Sequence, residues 1–462
     1  MAGISSPGLT SGLDVNGLVT QLMQAERANL TPRVTRQQTA VATEISALGQ
    51  FKGALSAFQL ALDGLRTADK FATRSAKSSD TDVITASATS AAAPSRYDIE
   101  VEHLATAQQL SSKPGFTDGP EAVVGTGTLT IGIGSTSVSI VIDSAHQTLA
   151  GIRSAINAQS GDKGVRATIV TGSDGAHLVL SSTKTGAANV IKVTQTGDAG
   201  LEKLVYDRAG GQTSHYDELR EAHDSSIRIA TFQKTSPSNT ITDAIEGVTL
   251  NLLDTTEEGD TVSVDIAYDN AGVEDKVRKF VDAYNALKST ITTLGGYNKD
   301  TEKAGPLLGD ALLRTVDADI RRGLVDPVSG ATGDYQTLAS VGITTNKDGR
   351  LTLDSTKLQN ALKTDFSGVS AIFSSDNGVA ARLYTKASDR LANTAELANR
   401  NKGLDTQTKQ LKKESVALEV RLAQIEARYR KQFTALDSLL MGMQTTSNYL
   451  QQQLANLPKI GS

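Results

Sequence analysis

The 462-residue sequence contains no cysteine and no tryptophan. Without thiols there can be no disulfide, no thiolate metal site and no cysteine nucleophile. Aromatic residues make up only 4% of the chain, so rings fill few core positions and rigidity must come partly from paired helices. No stretch approaches the roughly 18 to 20 apolar residues that a bilayer-crossing helix needs, so no membrane insertion is expected. The opening Met1-Ala2-Gly3-Ile4-Ser5-Ser6-Pro7 has neither a cationic nor an apolar signal region, so no cleavable signal peptide is expected. The net charge of -5 is spread along the chain and not gathered in a tail, which gives no field to attract a phosphate backbone. Nucleic acid is therefore not an expected partner.

What is present describes a soluble multidomain protein. Hydrophobic residues account for 39% and charged residues for 21%, and a chain of this length divides into roughly three or four compact units. From Leu18 to about Leu65 the pattern is helical, with Val34, Val41, Leu48, Leu55 and Leu62 at heptad spacing. Asp14 is a suitable N-cap for this stretch, and Pro32 predicts a bend or restart, hence two helices. Around Ala76 the composition turns to Ser, Thr, Ala and Asp, and alternating runs such as Tyr97, Ile99, Val101 continue to about Tyr268. One helix, about Leu149 to Gln159, interrupts this β region.

Helical periodicity resumes near Val273 and stops at Gly295-Gly296. A helical domain follows with one hairpin, Val341 to Leu353, turning at Asp348-Gly349, with Asp354 capping the next helix. From about Ala380 the pattern is almost continuously helical. Leu397, Leu404, Leu411, Leu418 and Ile425 keep a seven-residue step, and Leu422, Tyr429, Phe433, Leu436, Leu440 and Met443 prolong the apolar stripe. Amphipathic helices at both ends need apolar partners, and the simplest partner is the other end. The expected fold is α+β and multidomain: an antiparallel coiled-coil or helical-bundle leg formed by both chain ends, with two β-rich head domains inserted between them. The expected limits are a helical leg at 1–42, a bundle at 43–75 and 271–430, a proximal head at 76–120 and 226–270, a distal head at 121–225, and a C-terminal leg at 431–462.

Apparent chemical motifs fail on spacing or context. Ser181 to Lys184, Lys184 to Gly186 and Ser375 to Asn377 match three serine β-lactamase signatures, but that chemistry needs two different lysines and Lys184 would have to be both. Asn346, Asp348 and Gly349 imitate part of a calcium loop, yet Thr344 and Ser355 occupy the outer ligand positions where carboxylates belong. The histidines His103, His146, His177, His215 and His223 never take the spacing that presents two imidazoles from one helix. Glycines 125, 127, 132 and 134 precede no Lys-Ser/Thr pair. The basic run from Lys409 to Lys431 includes helix-stabilising pairs such as Glu426 with Arg430, which reads as a solvated face. No catalytic residue, cofactor or metal ligand is assigned, and the protein is read as a non-enzyme.

The stretches Ser11-Gly12-Leu13-Asp14, Leu18-Val19 and Leu22-Met23-Gln24-Ala25-Glu26-Arg27 resemble the opening of the bacterial flagellar filament cap family, hook-associated protein 2. Ile152 to Asn157, Val165 to Val170 and Leu178 to Val193 resemble the Ile-Asn repeat of flagellins and hook-associated proteins. Leu308-Gly309-Asp310, Leu338 to Ile343, Leu351 to Asp354, Phe373 and Gly378 to Leu383 resemble the cap family again. The resemblance implies secretion through the flagellar type III export apparatus with a chaperone, and a ring homo-oligomer, pentamer or hexamer, at the distal tip of the filament. It also implies assembly of flagellin beneath that ring, with host surface glycans or mucin as further partners of an adhesive head. Leu436, Leu439, Leu440, Met441, Met443, Leu450 and Leu454 are the expected contacts to filament, neighbouring subunit or export chaperone, and Leu9, Leu13, Leu18 and Leu22 the N-terminal leg contacts. An intramolecular seam between these two sets is an equal alternative. A hook-filament junction protein, a flagellin-like subunit and a coiled-coil surface adhesin remain alternative readings.

Overall fold

A computed structural model of the chain describes residues 14–328 and 334–455. Its helices are α1 Val15–Asp63, α2 Ala68–Phe71, α3 Leu149–Ser160, α4 Asn270–Gly295, α5 Ala311–Val325, α6 Ser355–Thr364, α7 Phe366–Ser374, α8 Val379–Leu391 and α9 Glu396–Ala455. The chain divides into two compact units, one of residues 72–273 and one built from the segments on either side of it.

The β unit contains β1 Arg74–Ser78, β2 Ile84–Ala88, β3 Ser95–His103, β4 Gln109–Ser112, β5 Gly127–Ile133, β6 Thr136–Ile142, β7 Val165–Gly172 and β8 Gly175–Ser182. It continues with β9 Ile191–Gly197, β10 Tyr216–Arg220, β11 Ser225–Ile229, β12 Phe232–Ser236, β13 Thr240–Ile245, β14 Val248–Leu252 and β15 Val262–Tyr268. Strict alternation decides the inward faces: Leu129, Ile131 and Ile133 of β5 point into one core, and Val262, Val264 and Ile266 of β15 into another. The first core, with Ile84, Ile99, Val101, Ile227 and Leu250, lies among the antiparallel sheets β1-β15-β3-β11-β12 and β13-β14-β2. The second lies among β10-β4-β8-β7, β6-β5-β9 and α3, around Leu129, Leu149, Ile152, Ile156 and Leu178. The chain thus leaves the first sheet pair after β3, completes the second, and returns at β11. Strand β4 already pairs with β8 of the second set, so the crossing falls between His103 and Gln109.

Helix α3 shows why the Ile-Asn repeat has its sequence. Thr148 caps it by accepting from Gly151 N, and Ile152 and Ile156 enter the core. Asn157, on the adjoining face, donates from Nδ2 to Ala167 O and accepts from Ala167 N, each at 2.8 Å. Strand β7 is an edge strand whose outer backbone groups have no sheet partner on that side, and the Asn157 amide satisfies one donor and one acceptor there.

His177 of β8 joins two further loops. Its Nδ1 lies 2.6 Å from Ser112 O and its Nε2 3.0 Å from Asp174 Oδ1. The Ser112 carbonyl and the Asp174 carboxylate both favour the protonated ring and hold its pKa above the ordinary 6.5. The bound proton therefore stabilises the folded unit fully below about pH 6.5, and this contribution is lost as pH rises through the elevated folded value. We expect the β unit to lose stability between about pH 6 and about pH 8 more steeply in the native chain than in His177→Gln. Urea denaturation of both at the two pH values checks this, and equal pH slopes would show that His177 contributes nothing.

In the helical unit, Asp14 caps α1 by accepting from Gly17 N at 2.8 Å. The helix then runs for 49 residues through Pro32 as one element, so the division into two helices expected there does not occur. A proline removes one amide donor from the helix ladder, at a cost of about 3 kcal/mol. Here both flanks are tied to the same partner helix, Arg27 to Glu419 before it and Gln38 to Leu411 O after it, which holds α1 continuous across the defect. Leu48, Phe51, Leu55, Phe58 and Leu62 fill the core, with Phe58 ring-packed on Phe280 and Tyr284 of α4 at 6.1 and 6.2 Å.

Among the described residues of this unit two hairpins occur where the sequence predicts one. The additional pair is β16 Tyr297–Asn298 with β17 Lys303–Ala304, two residues per strand and too short to leave an alternating pattern. The expected pair is β18 Ile343–Thr345 with β19 Leu351–Leu353, with Gly349 at φ +74° and Asp354 accepting from Lys357 N. Asn285 of α4 holds β19 by bonding both Leu351 N and Leu351 O at 2.9 Å. The near-continuous C-terminal helix is divided at residues 392–395, between α8 and α9.

Candidate interaction surface

Helices α1 and α9 run antiparallel within the helical unit. Asn16 accepts from Arg430, Glu26 from Tyr429, Glu419 from Arg27 and Glu44 from Arg400, at separations of 2.6 to 3.1 Å. As α1 advances from residue 16 to 44, its partners on α9 fall from residue 430 to 400, one register maintained along the whole pairing. Along this ladder Val41 of α1 and Leu404 and Leu411 of α9 are buried and Val34, Leu418 and Ile425 half-buried, while Leu48, Leu55, Leu62 and Leu397 are buried beyond its Glu44–Arg400 end. At its far end Val15, Val19, Met23 and Leu422 are buried together, with Leu30, Leu418, Ile425, Tyr429 and Phe433 packed on them.

The N-terminal residues expected at the leg surface are placed as follows. Leu9 and Leu13 lie outside the described residues. Leu18 is half-buried and Leu22 is exposed, because the helix turns Val15, Val19 and Met23, spaced every four residues, toward α9. The sequence signal for these was present in the pairs Leu18-Val19 and Leu22-Met23, in which the second member and not the leucine faces the partner.

Beyond Phe433 the stripe of α9 continues with larger exposure. Leu436, Leu439, Leu440, Met441, Met443, Leu450 and Leu454 are 36% to 66% exposed, although Leu397, Leu404 and Leu411 on the same helix are buried. The steps from Leu436 to Leu440, Met443, Ser447, Leu450 and Leu454 alternate between four and three residues, so these positions form one seam-like line. Large apolar side chains gathered on one exposed face mark an interaction site. Among the described residues no helix is long and apolar enough to cross a membrane.

The seam is fixed from the side by a contact with no sequence pattern. Arg400 reaches Glu44 of α1 at 2.6 Å and also pairs with Asp310, the N-cap of α5, whose carboxylate additionally accepts from Leu312 N and Leu313 N. Burial opposes the Arg400 charge, but the two carboxylates outweigh it and hold the pKa above its ordinary value. The motifs discounted from sequence are occupied by local structure. Ser182 Oγ closes a turn by donating to Lys184 O and accepting from Lys184 N, Asn346 Oδ1 accepts from Asp348 N and Arg350 N, and Ser375 belongs to the helical unit. Among the described residues no cluster of His, Asp and Glu could hold a metal ion.

The division into units also corrects the even spread of charge. Residues 72–273 contain 14 Lys and Arg against 25 Asp and Glu, a formal charge of -11, which leaves +6 on the remainder of the chain. Within α9, residues 400–431 hold nine cations and four acids.

Comparison with known proteins adds the decisive observation. Family profiles described as flagellar hook-associated protein 2 N-terminus and C-terminus match residues 11–108 and 222–445. The B-type flagellar hook-associated protein 2 of Pseudomonas aeruginosa is 36% identical over 482 aligned positions, covering 99% of this chain and 98% of the relative. The chain belongs to the flagellar hook-associated protein 2 family. Hook-associated protein 2 of Escherichia coli K12 is 34% identical, with 99% of both chains covered. The crystal structure of the D1-D2-D3 domains of the flagellar cap protein FliD from Escherichia coli matches with a TM-score of 0.68 at 33% identity, over 78% of this chain and 99% of that one. The α+β multidomain fold expected from the sequence is the fold of that hook-associated protein 2. The profile of the flagellin hook IN motif matches residues 128–184, the segment that contains α3, Asn157 and the edge strand it satisfies.

Proposed function

We propose that this hook-associated protein 2 forms the homo-oligomeric cap at the distal tip of the growing flagellar filament, where it promotes flagellin polymerisation and prevents loss of subunits to the medium. Full-length similarity to proteins named hook-associated protein 2 carries this reading, and the exposed apolar side chains near the end of α9 offer a surface for assembly. In this reading the β unit forms the plate, and the α1–α9 pair supplies legs that contact the filament and neighbouring subunits. Leu436, Leu440 and Met443 make those contacts, and before assembly the same line occupies a chaperone groove during type III export. The division into legs, bundle and two nested heads belongs to the same proposal. Burying side chains of this size contributes about 1.5 to 3 kcal/mol each, which suits a surface that must be covered after delivery.

Deletion of the gene in a flagellated host tests the reading. Short or absent filaments are expected, with unpolymerised flagellin accumulating in the medium, and restoration by the intact gene. Filaments of normal length in the deletion strain would overturn the cap assignment.

A further inference from the structure

The two β cores of residues 72–273 are joined by two stretches of chain, 104–108 on the way out and 221–224 on the return. These stretches meet in one antiparallel bridge, with Thr106 N donating to His223 O at 2.9 Å and His223 N to Thr106 O at 3.3 Å. Compact bodies linked so narrowly ordinarily move relative to one another, with the linker as hinge.

A further contact stands beside this linker. The turn 184–189 between β8 and β9, which contains the Lys-Thr-Gly sequence that fails as a catalytic motif, reaches past its own sheet. Gly186 N donates to Thr106 O at 3.1 Å, Ala187 N to Asp224 Oδ1 at 2.7 Å, and Thr185 Oγ1 to Pro237 O at 2.6 Å. The turn thus holds the outgoing stretch, the returning stretch and the loop between β12 and β13. Its own shape is fixed by Asn189 Nδ2, which donates to Thr185 O, and by the Ser182 hydroxyl on the Lys184 backbone. The receiving loop is fixed as well. Buried Ser225 donates to Ser238 O at 2.9 Å, and the Asn239 amide bonds Ala105 N at 2.6 Å and Ala105 O at 3.0 Å. Gly186 has φ +103°, and a Cβ there would fall 2.7 Å from Pro237 Cβ, so this approach requires glycine.

We propose that the turn is a clasp in which Thr185 and Gly186 are positioning residues, holding the second β core at one angle to the first so that the two move as a single body. The proposal rests on the reading of the β unit as the plate and states what makes that plate rigid. A bridge within the linker leaves rotation about the linker free. Attachment at Pro237, outside the linker, removes that rotation. Copies of a chain share one closed geometry only when each presents the same shape, so an angle fixed inside every copy serves a symmetric plate.

The absence of native cysteine allows a direct test on the full-length chain. Spin labels at Ser135→Cys in the second β set and Thr261→Cys in the first, both exposed, report the distance between them when labelled protein is diluted into unlabelled chain. Pulsed electron resonance is expected to give one narrow distance distribution. Combining Thr185→Val with Gly186→Val removes the hydroxyl donor and sets a branched side chain against Pro237, and should widen the distribution about twofold or more. Thr185→Val alone should widen it less, and Thr185→Ser, which keeps the hydroxyl, should leave it narrow. Amide exchange in β5 and β15 should be unchanged throughout, which separates loss of the angle from loss of the fold. A broad distribution in the parent, or one that neither valine variant alters, overturns the clasp. So does widening that both variants show only together with faster exchange in β5 or β15. In the deletion strain the double variant should support only short filaments, and normal filaments from a variant with a freed second core would remove the positioning role. The distances do not depend on the cap reading: normal filaments in the deletion strain itself overturn that reading and leave the clasp standing.

Discussion

Arg400→Ala is expected to destabilise the helical unit by about 3 kcal/mol. Its loss strands two carboxylates at once. Asp310 is the more costly, because its side chain is only 6% exposed and its position is fixed by the N-terminus of α5. Glu44 is about one-third exposed and water recovers part of its solvation. A loss of this size is a large share of the stability of an ordinary domain. Urea denaturation followed by helical circular dichroism measures it. Adding Glu44→Gln and Asp310→Asn should recover at least half, since asparagine keeps the capping oxygen while both stranded charges disappear. A loss under about 0.5 kcal/mol for Arg400→Ala would reduce the contact to an ordinary surface pair.

The opposite result is expected on the exposed line. Combining Leu436→Ser, Leu440→Ser and Met443→Ser should leave the melting of the free protein within about 0.5 kcal/mol of the parent, because exposed side chains contribute little to its core. Capping should nevertheless be lost. Three such residues buried on assembly contribute on the order of 5 kcal/mol, and their removal weakens association more than about a thousandfold. Filament length and free flagellin in the medium give the functional measurement. Normal filaments from the triple variant would remove this line from the assembly surface.

The two results separate what patterns reveal from what they do not. The helical ends, the β-rich middle, helix α3, the hairpin at Gly349 and the caps Asp14 and Asp354 were legible because each depends on local spacing or on one side chain next to its own backbone. The Arg400 contact joins residues 44, 310 and 400, and no window on the sequence contains all three. Pro32 misleads because its local cost is real and is offset by a partner almost four hundred residues away. On the N-terminal face α9 covers Val15, Val19 and Met23, while Leu18 and Leu22 lie off that line, a division that depends on where the partner helix sits. Net charge concealed a division between units that only the fold delimits.

The antiparallel register has a consequence for the order in which the molecule becomes complete. Arg27 meets Glu419 across 392 residues of chain, and Asn16 meets Arg430 across 414. Contacts so remote cannot form until nearly the entire polypeptide is available, whereas the strands of residues 72–273 find their partners within one contiguous stretch. The first turns of α1, with Val15, Val19 and Met23, must therefore wait for the last helix to arrive. A chain interrupted before Glu419 lacks the partners of Arg27, Glu26 and Asn16 and cannot complete the far end of the α1–α9 pairing.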